Sequence, residues 1–182
     1  MNHICRKRRL LLALPLLITW LVAVTTAQAQ VATASATILN REQAGPLLPP
    51  SVFYKSQVAP VQARNSAGLR FRDSKLVLAA LVDTSGYSTA VQQTYQGYLI
   101  VEVPIKVGDK ILAPGTYGFG FVSGDRAVVM DIGGNEVLSI QTMRDPDLSR
   151  PNPLQILPDP ASPTRFRLYL GRSYVTLEAA SK

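Results

Sequence analysis

The chain has 182 residues and a formal net charge of +7, and its only Cys, His and Trp (Cys5, His3 and Trp20) lie within the first 29 residues. Residues 30–182 therefore lack thiol and imidazole groups, which excludes from them disulfides, zinc sites built on His or Cys, and nucleophilic sites that need either residue. Four of the 19 basic residues also lie in the first 29, which leaves 15 against 12 acidic residues. The resulting charge of +3 removes the main support for nucleic-acid binding, and we predict no nucleic-acid partner.

The first 29 residues have the organisation of a secretory signal peptide. A basic segment at residues 6–9 precedes an apolar run at residues 10–24, and Ala27 and Ala29 supply the small residues that signal peptidase recognises. The apolar run is shorter than the roughly 20 residues that a membrane-spanning helix needs. We predict a signal peptide at 1–29, a periplasmic or secreted location, and no transmembrane segment after the signal is removed; either the general secretory or the twin-arginine route would serve.

Residues 30–50 are rich in Ala, Thr, Ser and Pro and show no sustained apolar period. Such a segment buries too little apolar surface to offset the entropic cost of ordering it. We predict a flexible N-terminal arm at 30–50, which Pro49 and Pro50 end, followed by an antiparallel β domain at 51–182.

From residue 51 onward, apolar residues alternate with a period of two, as in Tyr117, Phe119 and Phe121. This alternation is typical of strands that turn one face to a core. Turn residues at short intervals, including a type II turn at Pro114 and Gly115, separate the strands. We predict an all-β fold, a single antiparallel β-barrel or sandwich of about eight strands. The strand segments are 52–63, 68–72, 75–82, 98–107, 115–122, 126–132, 136–142, and a final pair at 165–170 and 173–178.

Two features on this sheet are candidates for ligand binding. Tyr87, Tyr95 and Tyr98 are spaced as on a short helix near residues 87–96, where they would either stack on a sugar or lipid or pack as a lid on the sheet. Gly118 and Gly120 leave one face of their strand without side chains, which marks the close approach of another body. That body is either a ligand or a neighbouring part of the chain.

Asp83 is the candidate for an enzymatic alternative. Residues 81–86 resemble the hydrophobic-hydrophobic-Asp-Thr-Gly signature of aspartic peptidases, and residues 169–172 are similar to the hydrophobic-Gly-Arg segment of the retroviral type. The resemblance implies two Asp carboxylates that share a proton, one from each subunit of a homodimer. Ser85, however, is inserted between Thr84 and the Gly, so the competing interpretation is that Asp83 ends a strand in an Asx turn.

The segment from 145 to 163 is acidic and rich in proline. Five prolines between residues 150 and 163 predict an extended surface segment, anchored by Leu154, Ile156 and Leu157. Three carboxylates, those of Asp145, Asp147 and Asp159, would suit a hard cation if they met. Because the spacing matches no known calcium loop, we predict instead a loop neutralised by Arg144 and Arg150, with no metal and no cofactor.

Four segments, at 95–99, 114–121, 150–155 and 167–172, together resemble a group of uncharacterised exported bacterial proteins. The Pro-Gly-Thr-Tyr element at 114–117 is similar to that of small periplasmic β domains of unknown function. The resemblance implies an envelope location and a β architecture, but it supplies no activity and no site residues. We therefore predict an exported non-catalytic envelope protein that binds a small apolar or glycan ligand or another envelope component, with an aspartic-peptidase-like hydrolase centred on Asp83 as the alternative.

Overall fold

Fourteen strands, two short α-helices and one turn of 3₁₀ helix form residues 36–180, the part of the chain that the computed structural model describes. The predicted signal peptide, with Ala27 and Ala29, falls outside that part. The first seven strands are β1 (Thr37–Leu39), β2 (Ser51–Tyr54), β3 (Gln57–Arg70), β4 (Leu76–Val82), β5 (Gly97–Val101), β6 (Ile105–Val107) and β7 (Lys110–Leu112). The others are β8 (Gly115–Val122), β9 (Arg126–Met130), β10 (Glu136–Gln141), β11 (Met143–Arg144), β12 (Leu154–Asp159), β13 (Ser162–Leu170) and β14 (Ser173–Ala179). The helices are α1 (Arg41–Ala44), which the 3₁₀ turn Gly45–Leu47 follows, and α2 (Thr89–Thr94).

The strands form two antiparallel sheets. The larger has the order β1-β3-β4-β5-β8-β9-β10, and β2 also pairs with β3. The smaller has the order β12-β13-β14-β6-β7, and β11 also pairs with β14. The sheets do not close into a barrel, and the prediction of an antiparallel all-β fold is confirmed in its sandwich form.

The main core lies between the two sheets. Phe119 and Val129 of the larger sheet pack with Phe166, Leu168 and Leu177 of the smaller one. The space left among these side chains is only about 10 Å³, which is about the size of one water-sized probe. The interior of the sandwich is therefore filled by side chains at this point.

A second layer covers the outer face of the larger sheet. Leu39 and Ala44, from β1 and α1, pack on Leu78 of β4, while the β2–β3 hairpin and α2 pack over the other end of the sheet. Strand β4 is thus covered on both faces, which explains why residues 76–82 are apolar throughout instead of alternating.

Residues 36–50 correct the prediction of a flexible arm. Strand β1 pairs with β3, and the side chains of Leu39 and Ala44 are 2% and 0% exposed. Asn40 caps α1: its Oδ1 accepts the backbone N–H of Gln43 at 3.0 Å, and Gln43 Oε1 accepts that of Asn40 at 3.1 Å. This capping box and the two buried side chains hold the segment to the sheet; residues 30–35 of the predicted arm lie outside the described residues.

Several predicted strand boundaries are also wrong. The segment 52–63 is a hairpin whose turn, at Lys55 and Ser56, has positive φ values of 43° and 68°. The segment 98–107 divides into β5 in the larger sheet and β6 in the smaller one. Gly115 begins β8 opposite Val101 and has no positive φ, so the type II turn predicted with Pro114 is absent there.

The proline-rich segment 150–163 is not only an extended surface loop, because it contains the whole of β12. This strand forms one edge of the smaller sheet, where prolines are tolerated since the outer N–H groups need no partner. The predicted anchors Leu154 and Ile156 are buried. Helix α2 confirms the short helix predicted near 87–96, and no helix within residues 36–180 has the length and apolar character required to cross a membrane.

Candidate functional site

Three tyrosines join the hairpin, α2 and the larger sheet. The rings of Tyr54 and Tyr95 are stacked, with centroids 3.8 Å apart and planes at 17°, and the Tyr87 ring lies 6.3 Å from that of Tyr54. The Tyr87 hydroxyl lies 2.8 Å from the carbonyl oxygen of Gln57 and 3.0 Å from that of Tyr54. Burial raises the pKa of all three tyrosines, so their hydroxyls stay protonated at neutral pH. Tyr87 thereby fastens the loop before α2 to the hairpin.

Gly118 and Gly120 make room for this cluster. A Cβ at Gly118 would lie 1.9 Å from Cε2 of Tyr95, and one at Gly120 would lie 2.0 Å from the carbonyl oxygen of Thr94. The face without side chains is therefore filled by a tyrosine ring and by the end of α2. Of the two interpretations that the sequence left open for these glycines, packing is the one observed directly above them.

Beside the cluster, the structure forms a cleft of about 240 Å³, which we call the aromatic cleft. It lies between β2, the outer face of β5 and β8, and the turn after β9. Its lining includes Phe53, Tyr54, Tyr95, Tyr98, Asp131 and Ile132. Of the five residues predicted for ligand binding, Tyr95, Tyr98 and Gly118 line this cleft, whereas Tyr87 and Gly120 do not.

The aromatic cleft has a buried floor, formed by Tyr54 and Tyr95, and exposed walls, formed by Phe53 and Ile132. Tyr54 and Tyr95 are buried and held in their stack, whereas the side chains of Phe53 and Ile132 are 60% and 72% exposed. Phe53 is exposed because it alternates along β2 with the buried Val52 and Tyr54. That alternation is a signal in the sequence, but nothing in the sequence places Phe53 opposite Ile132, which lies 79 positions further along.

Asp131 supplies the charged group of the aromatic cleft. Its Oδ2 accepts from Nδ2 of Asn135 at 3.0 Å, and its Oδ1 accepts from the Asn135 backbone N–H at 2.9 Å. These hydrogen bonds, with the side-chain one the stronger influence, hold the carboxyl pKa below its usual range. The cleft therefore combines a fixed carboxylate, which accepts hydrogen bonds, with exposed aromatic and aliphatic surface.

Asp83 lies apart from the aromatic cleft, at the exposed end of β4. Its Oδ1 accepts the backbone N–H of Ser85 at 3.0 Å, which confirms the Asx turn. Hydrogen bonds from the backbone and then the hydroxyl of Ser85 lower the pKa of this carboxyl.

Two of the acidic residues of segment 145–163, Asp145 and Asp159, pair with arginines of β13. Asp159, whose side chain is 2% exposed, accepts from Nη2 of Arg167 at 2.9 Å and also from Nε of Arg165. Asp145 lies 3.6 Å from the same Arg167 guanidinium. The prediction that Arg144 and Arg150 neutralise this segment is thus wrong for Asp145.

Burial by itself raises the pKa of Asp159. Hydrogen bonds from the Ala161 backbone and the two arginines together lower this pKa by more than burial raises it, so the net shift is downward. Within residues 36–180, no group of three or more His, Cys, Asp or Glu side chains is placed to hold a metal ion. The charged cluster around Arg167 thus serves to join β12 to β13.

In the aromatic cleft, predicted site residues, exposed aromatic surface and an ionised side chain come together. Its shape and chemistry suit non-covalent binding of a small ring with polar edges. No protein-family model, curated protein or solved structure matches this chain.

Proposed function

We propose that this chain is an exported, non-catalytic binding module of the cell envelope, and that the aromatic cleft binds one sugar ring of a glycan ligand. The observation that carries the proposal is a cleft that the exposed Phe53 and the ionised Asp131 line together with the stacked rings of Tyr54 and Tyr95. Export is supported by the signal-peptide organisation of residues 1–29 and by the resemblance to exported β-domain proteins.

The shape of the cleft supports a small, preorganised site. Its volume of about 240 Å³ lies below the roughly 300–1,000 Å³ of sites for drug-sized ligands, so it suits a single ring. Because Tyr54 and Tyr95 are already locked by stacking and burial, they lose little side-chain entropy when a ligand arrives. Exposed apolar side chains that adjoin, such as Phe53 and Ile132, commonly mark binding sites.

The chemistry of the cleft favours a sugar over a wholly apolar ligand. A sugar ring has an apolar face, which stacks on aromatic side chains such as Phe53 and Tyr98, and hydroxyl edges that donate hydrogen bonds. The carboxylate of Asp131 keeps lone pairs that accept such bonds beside those it accepts from Asn135, whereas an apolar ligand offers it no donor. The peptidase alternative at Asp83 gains no comparable support, since that carboxylate ends an exposed Asx turn.

Titration with chitotriose, a neutral N-acetylglucosamine trisaccharide, followed by two-dimensional NMR tests the proposal. We expect shifted resonances for Phe53, Tyr98 and Ile132, and an affinity about fivefold lower in Phe53→Ala, since one aromatic contact contributes about 1 kcal/mol. Ile111→Ala, which removes another exposed apolar side chain from β7, is the matched control and should bind as the wild type does. Shifts that fall elsewhere, or equal affinities for the two variants, would refute the proposed site.

A further inference from the structure

A second cleft, of about 430 Å³, lies where the edges of the two sheets approach each other. We call it the edge cleft. It is lined by β1 and the start of α1 on one side, by a bulge of β3 on another, and by residues 152–157 on the third. Its volume is within the range of small-molecule sites, and none of the residues that distinguish the aromatic cleft takes part in it.

The β3 bulge places a cation at the edge cleft. Residues 63–65 are extra relative to β4, since Gln62 pairs with Leu81 and the next paired residue, Ser66, pairs with Ala80. The bulge is held from within, because the Ser66 hydroxyl donates to the Ala63 carbonyl at 2.6 Å and Nδ2 of Asn65 donates to Oε1 of Gln62 at 2.7 Å. Bulges of this kind re-aim side chains at functional sites, and this one carries Arg64 to the cleft.

Arg64 is the charged residue of the edge cleft that can attract an anion, because the other two charges compensate each other. Two other charged residues line it, Arg41 and Glu42, and they pair with each other at 2.7 Å between Nε and Oε1. Within residues 36–180, Arg64 has neither an ion-pair partner nor a side-chain hydrogen bond. The net charge of the lining is therefore +1, and it lies on the bulge.

The remaining walls are apolar, apart from a group of amides. The half-buried aliphatic side chains of Ile38 and Leu157 line the edge cleft. Gln155 accepts a hydrogen bond from Asn152 through Oε1 at 3.1 Å, but its Nε2 is buried with no hydrogen-bond partner. Buried amide N–H groups are normally paired, and Gln155 lines the cleft, so this donor is free to pair with an acceptor there.

From these observations we infer that the edge cleft binds a small carboxylate with an aliphatic body, whose carboxylate pairs with Arg64 and whose chain lies against Ile38 and Leu157. The Arg64 cation and the unpaired Gln155 donor match the carboxylate of such a ligand, and the aliphatic walls match its chain. The site is separate from the aromatic cleft, so this inference does not depend on glycan binding.

Calorimetric titration with octanoate tests the site, with acetate as the probe that lacks the chain and octan-1-ol as the probe that lacks the charge. We expect octanoate to bind with a Kd of about 1 mM or tighter, and both other probes to bind at least roughly tenfold more weakly. Octanol that binds as well as octanoate, or octanoate that gives no binding, would overturn the inference.

Two variants locate the binding. Arg64→Gln should weaken octanoate binding by roughly tenfold, because it removes a charge-assisted pair. Arg70→Gln removes a second exposed arginine of β3 that does not line the cleft, and it should leave the affinity unchanged. Phe53→Ala should also leave it unchanged; equal losses in Arg64→Gln and Arg70→Gln would show attraction by overall charge and would refute the site.

Discussion

Replacing Gly118 by Ala would place a methyl group inside the space that the Tyr95 ring occupies. The new Cβ would lie 1.9 Å from Cε2 of Tyr95, about 1.5 Å closer than the 3.4 Å at which ordinary contact begins. The ring has no room to retreat, because its other face is stacked on Tyr54 at 3.8 Å. Overpacking a core usually costs about 1–3 kcal/mol, and since α2 has to shift here, we expect about 3 kcal/mol.

Thermal unfolding followed by circular dichroism measures this cost. A loss of about 3 kcal/mol lowers the Tm of a domain of this size by roughly 10 °C. Gly86→Ala is the matched control, because its Cβ would meet nothing closer than 3.9 Å and the residue has no positive φ; its Tm should stay within about 2 °C of the wild type. If Gly118→Ala kept the wild-type Tm and lost chitotriose binding instead, the glycine would be a ligand contact and the packing argument would fail.

Three other substitutions test separate parts of the structure. Asp159→Asn should lower the free energy of unfolding in urea by about 3 kcal/mol at pH 7, because it leaves Arg167 without its buried partner. The pKa of Asp159 is lower in the folded protein than in the unfolded chain. Its carboxylate therefore contributes fully to the free energy of unfolding above about pH 4, and this contribution is lost as the pH falls through the folded pKa. The difference in the free energy of unfolding between Asp159→Asn and the wild type should shrink in that window. Asn40→Ala should lower the free energy of unfolding by about 1 kcal/mol and speed amide hydrogen exchange in α1. If the amides of residues 36–50 in the wild type exchanged as fast as those of an unfolded chain, the order of this segment would be contradicted. Asp83→Asn should change stability by less than about 0.5 kcal/mol, and neither it nor the wild type should cleave peptides at acidic pH; cleavage by the wild type alone would revive the peptidase hypothesis.

The fold class was predictable because period-two alternation is a local property of the sequence. The same reasoning failed where local signals are weak. The turn at Lys55 and Ser56 has positive φ values without the Gly or Asn that usually announces them. Residues 36–50 look too polar to fold, yet Leu39 and Ala44 are buried because the outer face of β4 needs a cover.

The candidate sites were predictable only in part, for a different reason. Tyr95, Tyr98 and Gly118 lie within about two dozen positions of one another, so their proximity followed from adjacent strands. Phe53 and Asp131 reach the same cleft through a hairpin and a distant turn, and no local pattern gives that convergence. Arg64 was missed because a bulge, which displaces the pairing with β4, has no signature in this sequence.

The cover on the outer face of β4 has a consequence for solubility. If β1, α1 and the hairpin were cut away or failed to dock, the uninterrupted aliphatic run at residues 76–82 would meet water on one side. Uncharged runs of this kind with high β propensity are prone to assemble into intermolecular sheets. The N-terminal quarter of the described chain thus acts as a built-in guard against aggregation.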